Sequence, residues 1–347
     1  NDPLYLGLER RRERGENYDA LIEEFISAVG ETCPRAMVQL EDFGNSNAFR
    51  LLAEYRYRLC LFDDDIQGTG AVALAGLLAA LRISGGELAK QRVLIFGAGQ
   101  AGIGIGNTIV AAMIDQGIPA AEAQGCCWFF DSQGLLTAGR SALPSQKQPY
   151  AHEHAPMEDF AEAVSSLRPT VLIGCAGQPG VFTEEVVQLM AEQNERPVIF
   201  ALSNPTSKAE CTAVQAYGWT DGRAIFASGS PFEPVQMGNS TFVPGQGNNA
   251  YIFPGVGLGA VVSGTRRVTD EMFLAAAKVL ADQVTDEDLA LGRIYPGLSR
   301  IREVSALIAA EVAALAWRRG LAGREAPADI LAEVREQMFQ PLYPHYA

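Results

Sequence analysis

Two acidic clusters and one glycine-rich stretch are the parts of this sequence whose residue types and spacing could do chemistry. Glu41 and Asp42 follow a short apolar run at 37–40, and Asp63, Asp64 and Asp65 follow another at 58–62. Both runs suit buried strands, and neighbouring parallel strands deliver their carboxyl ends to the same edge of a sheet. Carboxylates without imidazole or thiolate suit a hard divalent cation, Mg²⁺ or Mn²⁺. Spacing alone favours the simpler interpretation that these acids are turn or helix-capping residues.

The glycine-rich stretch reads FGAGQAGIG from residue 96, after the apolar run at 93–96 and at the start of a predicted helix. In a G-x-G-x-x-G loop the first glycine permits a tight turn, the second admits a pyrophosphate, and the third lets the helix pack on the strand. The strand before the stretch and the helix after it favour this function over a merely structural turn. We therefore expect a dinucleotide to bind here, at Gly97, Ala98, Gly99, Gln100, Ala101 and Gly102.

Asp131 ends the next apolar run, CWFFD, and could accept hydrogen bonds from the adenosine ribose hydroxyls. It lies further from the glycines than the usual distance of roughly 20 residues, which a longer first helix would explain. An acid at this place disfavours a 2′-phosphate, and Ser132 and Gln133 add no positive charge, so NAD is expected in preference to NADP. Arg140 and Lys147 are close enough in sequence to keep NADP open.

Asparagines occupy two turns that follow or precede predicted elements. The segment SNPT lies at 203–206 and the segment GQGNN at 245–249. Amides can bind a carboxylate or a nicotinamide carboxamide without titrating. On sequence alone, ordinary turn chemistry is the favoured explanation of both segments.

The elements that would position these residues alternate in type. Apolar runs suited to strands occur at 93–96, 127–130, 171–173, 198–202 and 224–227, and helical patterns lie between them near 101–116, 157–167, 182–193 and 208–217. Such alternation predicts an α/β protein with a doubly wound, parallel, Rossmann-like sheet. Helical patterns at 18–29, 47–56 and 70–81 come before this block, and others at 256–263, 270–283, 299–318 and 327–337 come after it.

Three segments are expected from this organisation. Residues 1–63 form part of a substrate and metal domain, residues 64–249 form the dinucleotide-binding domain, and residues 250–347 form a helical portion that packs back on the first segment. The Rossmann-like block is thus inserted in a second, partial α/β domain.

Composition excludes several classes of function. The formal net charge is −14, which repels nucleic acids and anionic lipid surfaces at long range. No apolar run approaches the roughly 18 residues of a membrane span, so no membrane partner is expected. Six scattered cysteines without a C-x-x-C pair indicate buried thiols in a reducing compartment. With only three histidines in the chain, a zinc site of the usual kind has few ligands to draw on.

Six segments together resemble the malic enzyme family, in order and along nearly the whole chain. They are QLEDFGNSNAFRLL, FDDDIQGTGAVALAGLLAALR, FGAGQAGIGIG, ALSNPTSKAECT, GRAIFASGSPF and GQGNNAYIFPGVGLG. The resemblance implies oxidative decarboxylation of L-malate to pyruvate and CO₂, with NAD(P)⁺ and Mg²⁺ or Mn²⁺. It also implies a homodimer or homotetramer in the cytoplasm, with the mitochondrial matrix as the alternative in a eukaryote.

The same resemblance assigns roles to individual residues. The implied metal ligands are Glu41, Asp42 and Asp65, and Asp64 belongs to the proton-transfer network. Asn204 and Asn249 match positions that contact malate or the nicotinamide end of the cofactor, and Asn45 matches a cofactor contact. Asp63 departs from the family, in which Asn is common at this position, and we expect only a change of local charge.

Two alternatives to a malic enzyme stay open at this point. A malolactic enzyme resembles the family closely but retains its cofactor and releases lactate. The family's catalytic Tyr and Lys and a substrate-binding Arg are expected in a segment preceding Asn1, and no residue of this chain matches their motifs. The chain could therefore be a non-catalytic module that binds NAD and metal.

Overall fold

The computed structural model describes residues 4–7, 12–341 and 343. Its N-terminal portion contains helices α1 (Glu16–Thr32) and α2 (Ala48–Tyr55) and strands β1 (Met37–Leu40) and β2 (Cys60–Asp63). The two strands pair in parallel as a small sheet of their own, with Leu40 opposite Asp63. A small apolar cluster that includes Ile26, Leu51 and Leu61 holds the helices on these strands. Parallel pairing brings the acids that follow both strands to one edge.

Nine further strands follow, and seven of them form the central sheet of the described residues. The strands are β3 (Val93–Phe96), β4 (Cys127–Asp131), β5 (Gly134–Leu135), β6 (Val171–Gly174), β7 (Val198–Ala201), β8 (Ile225–Ser228), β9 (Val235–Met237), β10 (Ser240–Phe242) and β11 (Gly245–Gln246). The sheet order is β11-β8-β7-β6-β3-β4-β5, whereas β9 and β10 form a separate hairpin. All pairs in the large sheet are parallel except β4 with β5.

Helices cover both faces of this sheet. They are α3 (Thr69–Ser84), α4 (Gln100–Asp115), α5 (Ala120–Gly125), α6 (Phe160–Leu167), α7 (Glu184–Gln193), α8 (Ala213–Gly218), α9 (Phe253–Ser263), α10 (Asp270–Asp282), α11 (Asp286–Ala290), α12 (Ile301–Arg318) and α13 (Ile330–Gln337). Val93 and Ile95 of β3 join the core beneath α3 and α4, whereas Leu94 and Phe96 join the core beneath α6 and α7. This alternation along one strand confirms the doubly wound α/β fold that the sequence predicts.

The C-terminal helices pack back on earlier parts of the chain. Helix α10 lies against α3, α9 packs along α12, and α9 also contacts β1. Gly257 of α9 faces the methyl group of Met37, which leaves little room for a side chain at that position. The domain boundaries at 63–64 and 249–250 stay a prediction.

Several element boundaries differ from the sequence prediction. The helix expected from residue 208 begins at Ala213, because Thr212 and Gln215 form a capping box there, and a short 3₁₀ turn, Thr206–Lys208, precedes it. The helix expected from residue 157 begins at Phe160, capped by Asp159. The helix expected from residue 70 is preceded by one π-helical turn, Asp64–Gly68. Short 3₁₀ turns also occur at Leu88–Lys90, Ser145–Tyr150, Asn249–Tyr251 and Leu298–Arg300.

The π-helical turn makes one continuous helical stretch, Asp64–Ser84, of 21 residues. Among the described residues, this stretch alone is long and apolar enough by composition to cross a membrane, which the sequence pattern had not indicated. Of its apolar window, 78% is buried inside the protein. That burial is typical of the central helix of a packed core.

Candidate functional site

The glycine-rich loop connects β3 to α4 at the point where strand order changes direction, because β3 lies between β4 and β6. Such a switch point leaves a crevice at the carboxyl ends of the strands. Gly97 has a φ of 121°, which favours glycine, and its N–H donates to the carbonyl of Phe130 at 2.8 Å. A Cβ at Gly102 would lie 1.9 Å from the carbonyl oxygen of Gly97. Both glycines are therefore required by the shape of the loop.

Asn45 connects the N-terminal portion to this loop. Its Oδ1 accepts a hydrogen bond from the backbone N–H of Gln100 at 2.8 Å, and the Gln100 side chain donates to the carbonyl of Phe43 at 2.5 Å. Asn45 thus occupies one of the free N–H groups at the start of α4, where a helix favours negative charge. It also lines the loop cavity, where a cofactor contact was predicted.

The loop cavity has a volume of about 980 Å³ and lies over the carboxyl ends of β3, β4 and β6. Five of the six residues of the predicted dinucleotide loop, 97–101, line it, and Gly102 does not. Residues 130–134, at the end of β4 and just after it, also line it. Cys175, Ala176 and Gln178 form the wall after β6. This is the place where a doubly wound sheet binds a dinucleotide.

Asp131 lies in this cavity but is already paired with two cations. Its Oδ1 accepts from Arg140 Nη1 and its Oδ2 accepts from Lys147 Nζ, each at 2.8 Å. Burial raises the pKa of Asp131, but the hydrogen bonds from Lys147 and Arg140 outweigh it and hold the pKa below its usual value. Both carboxylate oxygens are thus engaged by positive groups, and the charge expected to repel a 2′-phosphate is neutralised.

A second cavity, the acidic cavity, lies beside the first and has a volume of about 330 Å³. Glu41, Asp42 and Asp65 line it together with Asn204 and Asn249, so the structure brings together residues from four separate segments. The backbone N–H of Asp42, a residue with a φ of 59°, donates to Oδ2 of Asp65 at 2.8 Å. The two acidic clusters therefore converge as the parallel strands predict.

The three successive acids after β2 have three different environments. Asp63 caps the π-helical turn, since its Oδ1 accepts from the N–H of Ile66 at 3.0 Å. Asp64 is fully buried, and its Oδ2 accepts from Asn249 Nδ2 at 2.5 Å. Asp65 is half-buried and reaches the acidic cavity. Asp63, and not Asp65, is thus the acid that caps the turn. Because Asn caps a helix as well as Asp does, the expectation that Asp63 changes only the local charge stays a prediction.

Carboxyl groups accumulate at this edge of the sheet, and their pKa values are raised. Burial, and then the charges of Glu41 and Asp65, raise the pKa of Asp64 to about 8. Burial is also the main cause that raises the pKa of Glu41, with a contribution from Asp65. Asp64 Oδ1 and Asp63 Oδ2 are buried without a hydrogen-bond partner. Glu41, Asp42 and Asp65, in contrast, present their carboxyl groups to the acidic cavity, and oxygen ligands of this kind fit a divalent cation chemically.

The acids are not arranged as a ready ligand set, however. In the described part of the chain, no group of three or more His, Cys, Asp or Glu side chains lies in a position to hold a metal ion. Glu41 Oε2 accepts a hydrogen bond from Gln39 Nε2 at 2.8 Å, so the Glu41 carboxylate is held against a residue of β1. The donor chemistry and the shared cavity therefore support a metal site, whose ligands stay a prediction.

Two residues at this edge, Ser203 and Glu210, were not predicted from the sequence. Glu210 is fully buried and contacts Ser203, which precedes the predicted Asn204 and lines the acidic cavity. The available signal was an isolated acid between Ala209 and Cys211 in the segment before α8. No spacing rule connects such an acid to the turn seven residues earlier.

Two family models match this chain in sequence. The model described as "Malic enzyme, NAD binding domain" matches residues 66–317, and "Malic enzyme, N-terminal domain" matches residues 1–56. The first match alone covers more than half of the chain. The chain belongs to the malic enzyme family. The resemblance predicted from the six sequence segments is confirmed.

Relatives within the malic enzyme family are similar along the whole chain. A chloroplastic NADP-dependent malic enzyme of Zea mays is 51% identical over 350 residues, which cover 100% of this chain and 55% of the relative. An NADP-dependent malic enzyme of Columba livia is 49% identical over 348 residues, 99% of this chain and 62% of the relative. The chain thus spans little more than half the length of these relatives.

Solved structures of malic enzymes share the fold. The crystal structure of the Entamoeba histolytica malic enzyme matches with a TM-score of 0.75 at 26% sequence identity. The match covers 94% of this chain and 62% of the Entamoeba histolytica chain. The crystal structure of the Pyrococcus horikoshii malic enzyme matches with a TM-score of 0.72 at 26% sequence identity, over 90% of this chain and 69% of the Pyrococcus horikoshii chain. The Rossmann-like arrangement around the loop cavity is therefore the arrangement of this family.

Proposed function

We propose that this protein oxidatively decarboxylates L-malate to pyruvate and CO₂, with NADP⁺ as the hydride acceptor and Mg²⁺ or Mn²⁺ as the metal. One observation carries the proposal: the acidic cavity and the loop cavity share a wall formed by Asp65, Ala101 and Cys175. A small hydroxy acid held among the carboxylates and amides would lie next to the reactive end of a dinucleotide bound at the loop. Hydride transfer needs that adjacency.

Glu41, Asp42 and Asp65 are the residues that would hold the cation in this proposal. When bound, a divalent cation acts as a Lewis acid that polarises the hydroxyl or carbonyl oxygen of a substrate. The protein's own contribution is to bring three carboxylates from two strand ends into one cavity, with Asp65 fixed by the N–H of Asp42.

Asn204 and Asn249 would orient the substrate. Both line the acidic cavity, and a neutral amide can donate to a malate carboxylate without adding to the local charge. Asn249 also donates to Asp64 Oδ2, which leaves Oδ1 of that carboxyl to hold a proton. Because the pKa of Asp64 is raised to about 8, this carboxyl is suited to move a proton near neutral pH.

The preference for NADP over NAD rests on Lys147 and Arg140. Both pair with Asp131, and Lys147 lines the loop cavity and the neighbouring cavity beside Asn45. A nearby cation is what accommodates a ribose 2′-phosphate in this kind of fold. The expectation of NAD depended on an unpaired Asp131, and the two ion pairs remove that reason. The NADP dependence named for the Zea mays and Columba livia relatives points the same way.

The test is to incubate the purified chain with L-malate, Mn²⁺ and either NADP⁺ or NAD⁺. Reduced cofactor is followed by absorbance, and pyruvate and lactate are measured separately. We expect pyruvate and NADPH in equal amounts, with NAD⁺ a poorer acceptor. Lactate without free reduced cofactor would show a malolactic enzyme instead. Binding of NADPH and Mn²⁺ without turnover would show that this chain is a binding module, and no binding would overturn the proposal.

Oligomeric state and location complete the proposal. We propose a homodimer or homotetramer that works in a reducing compartment, the cytoplasm in the first instance. Sedimentation of the purified protein tests the assembly, and a monomer at all concentrations would contradict it.

A further inference from the structure

Glu210 is a charged side chain placed where solvent does not reach it. It is 0% exposed and lies in the segment between β7 and α8. A buried carboxylate is costly unless hydrogen-bond donors surround it. Here the donors are present: the Ser203 hydroxyl donates to Oε1 and the Ser203 backbone N–H donates to Oε2 at 3.3 Å. Burial raises the pKa of Glu210, while the Ser203 hydroxyl and the backbone N–H of Ala176 act in the opposite direction.

These contacts fasten the carboxyl ends of two adjacent strands to each other. Ser203 follows β7, and its hydroxyl also accepts a hydrogen bond from the N–H of Gly177, which follows β6, at 2.8 Å. Gly174, the last residue of β6, lies so close to Glu210 that a Cβ there would be 2.4 Å from Glu210 Cγ. The glutamate thus fills a space that the end of β6 leaves open.

Both fastened segments form walls of the two cavities. Ala176 and Gln178 line the loop cavity, whereas Gly177, Ser203 and Asn204 line the acidic cavity. Glu210 itself lines neither cavity. Any effect of this carboxylate on a ligand must therefore pass through Ser203 and the 175–178 segment.

We propose that Glu210 is a positioning residue that acts through Ser203 to fix Asn204 and residues 175–178 at the wall between the two cavities. This inference rests on the proposed function, since it concerns the same site. A side chain that must be placed to within a fraction of an ångström needs neighbours whose own positions are locked by hydrogen bonds. One carboxylate with several fixed donors meets that need for two loops at once.

Two substitutions test the proposal from opposite ends of the contact. Ser203→Ala removes the hydroxyl that connects Glu210 to the Gly177 N–H. Glu210→Gln keeps the size but replaces one acceptor oxygen by an NH₂ group, which then faces donors. If Glu210→Gln yields too little folded protein, Ser203→Ala decides the question.

Thr220→Val is the matched control. Thr220 is also 0% exposed, and its hydroxyl donates to the carbonyl of Ala216 at 2.7 Å and accepts from Ala224 N at 3.0 Å. It lies before β8, at the opposite end of the sheet from the cavities. The control therefore removes a buried, hydrogen-bonded hydroxyl, as Ser203→Ala does, but away from the site.

Three measurements are made on each protein: thermal unfolding, the dissociation constant of NADPH by fluorescence, and backbone hydrogen exchange over 175–178 and 203–206. We expect Ser203→Ala and Glu210→Gln to weaken NADPH binding about tenfold. This is the lower end of the roughly 10- to 100-fold loss that is typical when a residue supporting the ligand-contacting residues is changed. Exchange should speed up in both segments. Where malate turnover is measurable, kcat/KM should fall by a similar factor. Thr220→Val should lower the unfolding temperature without these effects.

The outcomes separate this inference from the proposed function. If Ser203→Ala loses stability as Thr220→Val does but keeps the wild-type NADPH affinity and exchange pattern, Glu210 is structural only and the inference is wrong. If the wild-type chain binds no NADPH, the proposed function fails. Hydrogen exchange in the ligand-free proteins then still decides whether Glu210 orders the two segments.

Discussion

The amide of Asn249 donates a hydrogen bond to the buried carboxyl of Asp64 at 2.5 Å, although 185 residues separate them in sequence. Asn249 begins the short turn before α9, and Asp64 begins the π-helical turn after β2. The contact therefore ties the C-terminal helical portion to the acidic edge of the N-terminal portion. It also fixes which face of the Asn249 amide is left for a ligand.

Asn249→Asp should strongly impair malate oxidation. The new carboxylate would face Asp64 and the substrate carboxylate at once, and like charges in one site cannot all stay ionised without cost. We expect kcat/KM for malate to fall about a hundredfold, which corresponds to ~2.7 kcal/mol. Asn194→Asp is the control, because Asn194 Nδ2 donates to two backbone carbonyls, of Pro169 and Met190, that belong to neither cavity. Equal losses in the two variants would argue against a substrate role.

Lys147→Gln should change cofactor preference more than it changes folding. A charge-assisted hydrogen bond contributes about 1.5–3 kcal/mol, so NADP⁺ affinity should fall by roughly 10- to 150-fold. NAD⁺ affinity should stay within about twofold, since NAD⁺ has no 2′-phosphate to lose a contact. Lys278→Gln is the matched control: Lys278 pairs with Asp115 at 2.6 Å on the exposed surface. Titration of both cofactors by fluorescence gives the answer, and an unchanged NADP⁺ constant would refute the role of Lys147.

The pairing of Asp131 has a consequence for stability at low pH. Its pKa is held below its ordinary value in the folded protein, so the stabilisation is present above the unfolded pKa and is lost as pH falls through the folded pKa. Asp131→Asn should therefore be less stable than wild type at pH 7, by on the order of 1–3 kcal/mol. The difference in unfolding free energy between wild type and Asp131→Asn should narrow below about pH 4, close to the reference pKa of an aspartate. Urea unfolding at several pH values measures it, and a gap that does not depend on pH would contradict the assignment.

The long elements of this fold could be predicted because their sequences carry periodicity. Each main strand of the sheet is an apolar run of four or five residues, and the helices between them have one apolar side. Strands β5 and β11 have two residues each, and the β9–β10 hairpin has three on each side, which is too short for any pattern. Their positions are set by the chain that surrounds them and not by their own residues.

The site was predictable to the extent that it follows from strand direction. Acids after β1 and β2 converge because the strands are parallel, and the turns with Asn204 and Asn249 lie at the same edge. The pairing of Asp131 with Lys147 was not predictable, because it depends on how the chain turns back after β5. The partnership of Glu210 with Ser203 likewise needs the packing of α8 on the sheet before it becomes visible.

Gly102→Ala should abolish cofactor binding while a matched change elsewhere does no harm. The added Cβ would lie 1.9 Å from the Gly97 carbonyl oxygen, so the loop would have to move away from its present shape. We expect NADPH affinity to fall at least about a hundredfold, because the loop N–H groups no longer face the pyrophosphate. Gly125→Ala, at the end of α5, has open space around the new Cβ and should stabilise by about 0.5–1 kcal/mol. Normal NADPH binding by Gly102→Ala would overturn the loop assignment.

Asp65 and Asp63 lie only two positions apart, but replacing each by Asn should have a different effect on Mn²⁺ binding. Asp65→Asn removes a carboxylate from the acidic cavity and keeps an oxygen to accept the N–H of Asp42, so folding should be preserved. Mn²⁺ affinity, measured by electron paramagnetic resonance of the free ion, should fall by a factor of ten or more, since carboxylate charge drives binding of a hard cation.

Asp63→Asn keeps the cap on the π-helical turn, because Asn is as good a capping residue as Asp. It replaces a fully buried carboxyl, whose pKa burial raises to about 7, outside the acidic cavity. Mn²⁺ affinity should therefore change by less than about threefold, and stability should hold or rise, because a buried carboxylate is costly. Asp63→Ala, which removes the cap, should cost ~1 kcal/mol of unfolding free energy instead. If Asp63→Asn weakened Mn²⁺ binding as much as Asp65→Asn, the cation would be bound at the strand end itself, and the assignment of Asp65 as the ligand would be wrong.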